Sequence, residues 1–216
     1  MKKNKNMPKF IITCFFICLS APFIFAQHID IDKKALSFLA SQEEVNVIFE
    51  NDSLLMIDNL NEMDFIQKMR NKISGQSIIQ EANNWTLAYN ENKYKNWPKA
   101  FIDQLNEKLE ESEHSPKFEL DNSKALYTMK VKPTWMYFGY DAGIMDRPAK
   151  VTLQVYFYET KSPENIMFST EISRAMAKYN KQDGDGEGAG PSLNRMRKAY
   201  AFAAYKFAKS LETVLN

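Results

Sequence analysis

The stretch KVTLQVYFYET, residues 150–160, decides the fold. Its side chains alternate. Val151, Leu153, Val155 and Phe157 fall on one side, and Thr152, Gln154, Tyr156 and Tyr158 on the other. A period of two is that of a strand with one face in a core. Residues 125–132, 134–141 and 165–175 read as further strands around it. Gly143 and Pro148 bracket one turn, and Ser162-Pro163-Glu164-Asn165 makes another. Pro133 separates the first two of these strands and predicts a bend or an edge, because it has no N–H for a ladder. Tyr127, Met129 and Val131 on the first strand match the apolar face of 150–160, as do Ile166, Phe168 and Ile172 on the last.

The remaining elements follow from helical spacing. Met196, Tyr200, Ala203, Ala204, Phe207, Leu211 and Val214 recur in steps of three and four, so a helix runs from about Ser192 to Val214. That helix is expected over the apolar sheet face. Ile66, Met69, Arg70 and Ile73 mark a helix over 62–73, with Gly75 just past its end. Pro98 suits the first turn of a helix carrying Phe101, Ile102, Leu105 and Leu109. Residues 28–40 read as a short amphipathic helix capped by Asp30 or Asp32, and 44–51 as a strand with Val45, Val47 and Phe49 on one side. Residues 76–95 are polar and Asn-rich, partly helical or irregular, with Trp85 and Tyr89 as anchors. The expected class is α+β: a mostly antiparallel sheet, made of a three- to four-strand meander plus one amino-terminal strand, with helices packed on one face.

The amino terminus predicts an address. Lys2, Lys3, Lys5 and Lys9 precede an apolar run from Phe10 to Phe25, and Ile24-Phe25-Ala26 resembles a signal-peptidase site. Residues 1–26 are therefore expected to be a signal peptide and 27–216 a single α+β domain, periplasmic or secreted after cleavage near Ala26. Cys14 and Cys18 leave with that segment, which excludes disulfides, thiolate chemistry and lipidation through Cys in the mature chain. Loss of the four lysines leaves 24 basic against 27 acidic residues, a net of −3. That balance does not suggest nucleic acid as a partner. No mature transmembrane segment is expected.

The face opposite the apolar one is expected to carry Thr128, Lys130 and Lys132, then Trp135 and Tyr137, then Thr152, Gln154, Tyr156 and Tyr158. Aromatic residues with polar tips among lysines and amides suit a surface for an envelope protein or a glycan. Trp135, Tyr137, Tyr156 and Tyr158 are the candidate ligand- or partner-binding residues. The competing expectation is that 28–40 or 76–95 cover this face, or that the rings only pair across strands.

No residue pattern points to a cofactor or a resident metal. DGDGEG at 183–188 resembles the opening of an EF-hand calcium loop, but the twelfth position is Asn194 and Pro191 falls inside, so it reads as a flexible glycine-rich connection. His28 and His114 have no metal-ligand spacing. There is no nucleotide-binding glycine motif. Paired carboxylates remain an alternative, a hydrolase acting on envelope or dietary glycan, with Asp141, Glu159 and Glu171 at strand positions. Asp141 and Arg147 are placed to pair across a hairpin turned at Gly143.

The YFGYDAG strand end at 137–143, the PAKV strand start at 148–151, the glycine-rich loop and the alanine-rich last helix resemble small secreted proteins of unknown function from Gram-negative bacteria. The architecture from Pro98 onward is similar to envelope α+β domains, namely the amino-terminal domain of TolB and the periplasmic part of the curli-secretion lipoprotein. That resemblance implies an assembly or interaction role rather than catalysis, and it carries over no functional residue. The anchoring Cys of the lipoproteins is missing here.

Overall fold

A computed structural model describes residues 29–141, 146–178 and 190–216. The predicted signal peptide, Gly143 and the DGDGEG stretch lie outside the described residues. Two short strands open the fold, β1 (Glu44–Phe49) and β2 (Leu55–Met56). Three helices follow: α1 (Glu62–Gln76), α2 (Ile79–Glu91) and α3 (Trp97–Leu109), the last two joined by a π-helical turn at Asn92–Asn96. Next come β3 (Lys117–Leu120), β4 (Tyr127–Tyr137), a small hairpin of β5 (Tyr140–Asp141) and β6 (Asp146–Arg147), then β7 (Lys150–Glu159) and β8 (Ile166–Ala175). The long α4 (Leu193–Leu215) closes the chain.

The class is α+β, with a mixed sheet. Six strands pair in the order β3-β1-β4-β7-β8, with β2 also on β4. The β4-β7-β8 meander is antiparallel as expected. The strands on the other side of β4 are parallel: β1 and β2 run along β4, and β1 runs along β3. Parallel neighbours need a long crossover, and α1 to α3 supply it between β1 and β4. Strand spacing in a sequence does not record direction, so this part of the topology had to come from the fold.

Four expectations change. The two strands read on either side of Pro133 are one strand, β4, and it lies in the middle of the sheet. Pro133 is tolerated there because the parallel ladder with β1 stops at it. The Glu50 N–H bonds the Val131 carbonyl at 3.0 Å, and the next rung would need the N–H that Pro133 lacks. Residues 76–95 are mostly the regular helix α2, whose Ala82, Trp85 and Tyr89 are buried at helical spacing. Residues 28–40 form a turn held by Asp32, whose Oδ1 accepts the N–H groups of Lys34 and Ala35, followed by a 3₁₀ helix at Ser37–Ser41 rather than an α-helix. Gly75 sits inside the last turn of α1, not beyond it.

The core forms on the predicted face. Met129, Val131, Val151, Leu153, Val155, Phe157 and Ile172 are fully buried. Ile166 is an exception at 44% exposed, and Tyr127 is half-buried, its ring 4.1 Å from that of Phe38. The helices bring their rings to this side. Phe207 of α4 faces Phe157, Phe101 of α3 faces Phe49, and Phe65 of α1 stacks on Phe138. Full burial of each such ring contributes roughly 1.5–3 kcal/mol before chain entropy is charged. Ser192 caps α4 by accepting the Arg195 N–H at 3.1 Å, and Asn61 caps α1 through the Asp64 N–H at 2.9 Å.

Candidate functional site

The other sheet face, called here the outer face, carries the predicted site. Lys130 and Lys132 of β4 and Gln154 and Tyr156 of β7 are half-buried, as are Trp135 and Tyr137. Among the described residues, both predicted covers pack on the core side instead. The 3₁₀ helix brings Phe38 against Tyr127 and the core ring Phe157, and α2 sends Tyr89 toward Phe138. Tyr158 differs from its three companions: it is buried, and burial pushes its phenol above the ordinary range.

Lysines and acids are already matched at the centre of this face. Glu50, in the loop after β1, pairs with Lys130 at 3.1 Å and with Lys132 at 3.0 Å, and Asp52 pairs with Lys132 at 2.7 Å. The hydrogen bond from Lys132 holds the Asp52 carboxyl below its usual range, and the Asp52 and Glu50 carboxylates raise Lys132. The Lys130 ammonium also lies 5.1 Å from the Tyr156 ring centroid, a cation–π contact. Beyond them, Asn46, Thr128 and Thr160 form a hydrogen-bonded polar row through the Thr128 hydroxyl.

Two β-bulges meet at one residue. Along β4 the register slips between Pro133 and Trp135, opposite Leu153 and Thr152 of β7. Along β8 it slips between Ile172 and Ala175, opposite Leu153 and Val151. Thr152 therefore has an extra residue on each flank. A bulge re-aims the side chains after it. The first turns Trp135 and Tyr137 outward and sends Met136 and Phe138 into the core. The second holds Arg174 in the left-handed region at φ 42°, where only glycine sits freely. Thr152, 8% exposed, accepts the Arg174 N–H on its Oγ1 at 3.1 Å. The Arg174 guanidinium then lies 5.4 Å from the Trp135 ring centroid, and the Tyr137 ring is 6.4 Å from Trp135 at 31°.

Reading the sequence identified the rings, placed Thr152 on this face without a role, and missed Arg174. The signal was present. Apolar alternation runs Met129, Val131, then Met136 and Phe138, an odd step that marks one extra residue. Ile172 to Ala175 is a second odd step.

Away from this face, a largely buried ion pair joins α1 to the turn after α2. Glu62, at the start of α1, accepts from Lys93 and from the Tyr89 hydroxyl, each at 2.6 Å. Lys93 is only 5% exposed. Among the described residues, clefts of about 350, 410 and 570 Å³ lie along α3, α4 and the loop after α3. Glu159 and Glu171 do not converge: Glu171 pairs with Gln154, five residues along β7 from Glu159. That is about 17 Å of strand, beyond the roughly 5–9.5 Å that carboxylate pairs of glycosidases span. The Asp141 side chain lies outside the described residues, and His114 is exposed. Among the described residues no group of three or more His, Cys, Asp or Glu could hold a metal ion, and no helix is long and apolar enough to cross a membrane.

No protein-family model matches the chain, and no curated protein matches it. Among solved structures, a Helicobacter pylori protein designated a neuraminyllactose-binding hemagglutinin homolog is similar at 14% identity. The similarity covers 81% of this chain and 83% of that one, with a TM-score of 0.32. A score that low carries neither fold nor function across.

Proposed function

We propose that this protein is a non-enzymatic binding or assembly module of the bacterial envelope, acting in the periplasm or outside the cell after its first 26 residues are removed. Its working surface is the outer sheet face. One observation carries this reading. The helices bring their rings to the opposite face, while this one keeps Trp135, Tyr137 and Tyr156 half-buried among cations and amides. Half-buried Trp and Tyr with polar tips are what a partner-binding surface needs, since they offer apolar area at small entropic cost. The signal-like amino terminus and the resemblance to envelope α+β domains support the location.

A double variant, Trp135→Ala with Tyr156→Ala, tests the reading. The wild-type chain, immobilised, is expected to retain a protein or glycan from its own envelope fraction. The double variant should lose it, while Leu87→Ala on the exposed side of α2 should not. Retention of the same component by the double variant would remove the outer face from consideration.

A further inference from the structure

We propose that Arg174, seated on Trp135 between the two bulges, recognises a carboxylate on a saccharide laid across the outer face. This rests on the binding role proposed for that face and names the chemistry of its ligand. Three observations converge. Arg174 is exposed, and among the described residues its guanidinium makes no ion pair or hydrogen bond, whereas Lys130 and Lys132 on the same face are already paired with Glu50 and Asp52. Its backbone is left-handed, a conformation that costs an L residue energy and that glycine would adopt without strain. Ser53, Asp58, Asn59 and Asp121 also have positive φ, but they are short polar residues outside the strands; at Arg174 the strain falls inside β8 on a long exposed side chain, which points to a use for that side chain. The bulge geometry also delivers the guanidinium to the indole of Trp135. A guanidinium over a ring keeps its N–H fork free at the edge, and that fork matches a carboxylate bidentately.

The surroundings favour a sugar over a peptide. Gln154 and Ser169 supply an amide and a hydroxyl in neighbouring rows, and Trp135 and Tyr137 supply ring faces for C–H groups.

The test is calorimetric titration of the purified full chain with oligogalacturonate, oligomannuronate and hyaluronan fragments, each against its methyl-esterified neutral counterpart. At least one acid should bind tenfold or more tightly than its ester, with the preference shrinking as salt rises. Arg174→Gly should abolish the preference while leaving the melting temperature unchanged or higher, because it relieves the left-handed strain. Arg174→Lys, which keeps charge without the fork, should retain only part of it. Equal binding of acid and ester, an undiminished preference in Arg174→Gly, or no binding by any acid overturns the inference. Acid and ester binding alike, with Trp135→Ala removing both, would leave the binding face standing and sink the carboxylate role alone. Binding of a peptide carboxylate in place of every saccharide would also overturn it.

Discussion

Thr152→Val is the substitution that most directly interrogates the double bulge. It replaces the Oγ1 that accepts the Arg174 N–H at 3.1 Å with a methyl group of nearly the same shape. At 8% exposure water cannot readily take over the bond. Losing it and leaving the donor unpaired costs about 1–2 kcal/mol, partly offset by the added methyl. For a chain of this size the melting temperature should fall by about 2–8 °C. Thr152→Ser keeps the oxygen and loses a buried methyl worth about 0.8 kcal/mol, so melting temperature alone separates the two variants poorly. Hydrogen exchange at the Arg174 amide separates them well. Protection there should drop about 5–30-fold in Thr152→Val, the factor equivalent to 1–2 kcal/mol, and hold in Thr152→Ser. Equal protection in both variants would show that Thr152 does not pin the bulge, and the placement of Arg174 would need another cause.

Other expectations follow from the helical side. Lys93→Met should destabilise by on the order of 2–3 kcal/mol in urea melts, below the roughly 3–5 kcal/mol of a fully buried pair because Glu62 keeps 21% of its side chain exposed. Adding Glu62→Gln to Lys93→Met should recover part of that loss, since the stranded charge is then gone. Phe207→Ala should cost about 3–5 kcal/mol, whereas Phe202→Ala, at 37% exposure on the same helix, should cost less than about 1.5. Equal losses would mean that α4 is rotated. Burial raises the phenols of Tyr89 and Tyr200 far above their ordinary value, with the Glu62 carboxylate adding to each. A raised folded pKa makes the contribution complete below the unfolded value near 10 and lost as pH climbs above it. Ultraviolet titration should therefore find these two tyrosines ionising only as the chain unfolds in alkali.

Much of the architecture could be read because it depends on local periodicity. The α4 stripe and the alternation of β7 are single-element patterns, and burial follows them except at Val214, which is half-buried, and at Thr152 and Tyr158, which are buried on the polar side. The α2 segment was harder, because its polar Asn residues hide three buried positions, Ala82, Trp85 and Tyr89, that only matter once a neighbour covers them. Short β3, four residues with Phe118 buried, has too little length to show a period. Parallel pairing of β1 with β4 is a relation between segments about eighty residues apart, and no local pattern encodes it.

The site divides in the same way. Trp135, Tyr137 and Tyr156 stood out as aromatics on a polar strand face, because side-chain alternation alone assigns a face. Whether that face would be covered depended on where three helices crossed the sheet. Residue identity alone leaves residues 27–216 without cysteine and with a net charge of −3, which needs no coordinates. Only the tertiary structure brought Arg174 onto Trp135. Two one-residue slips on separate strands had to fall on either side of Thr152, and register between strands is set by the packing of the whole sheet.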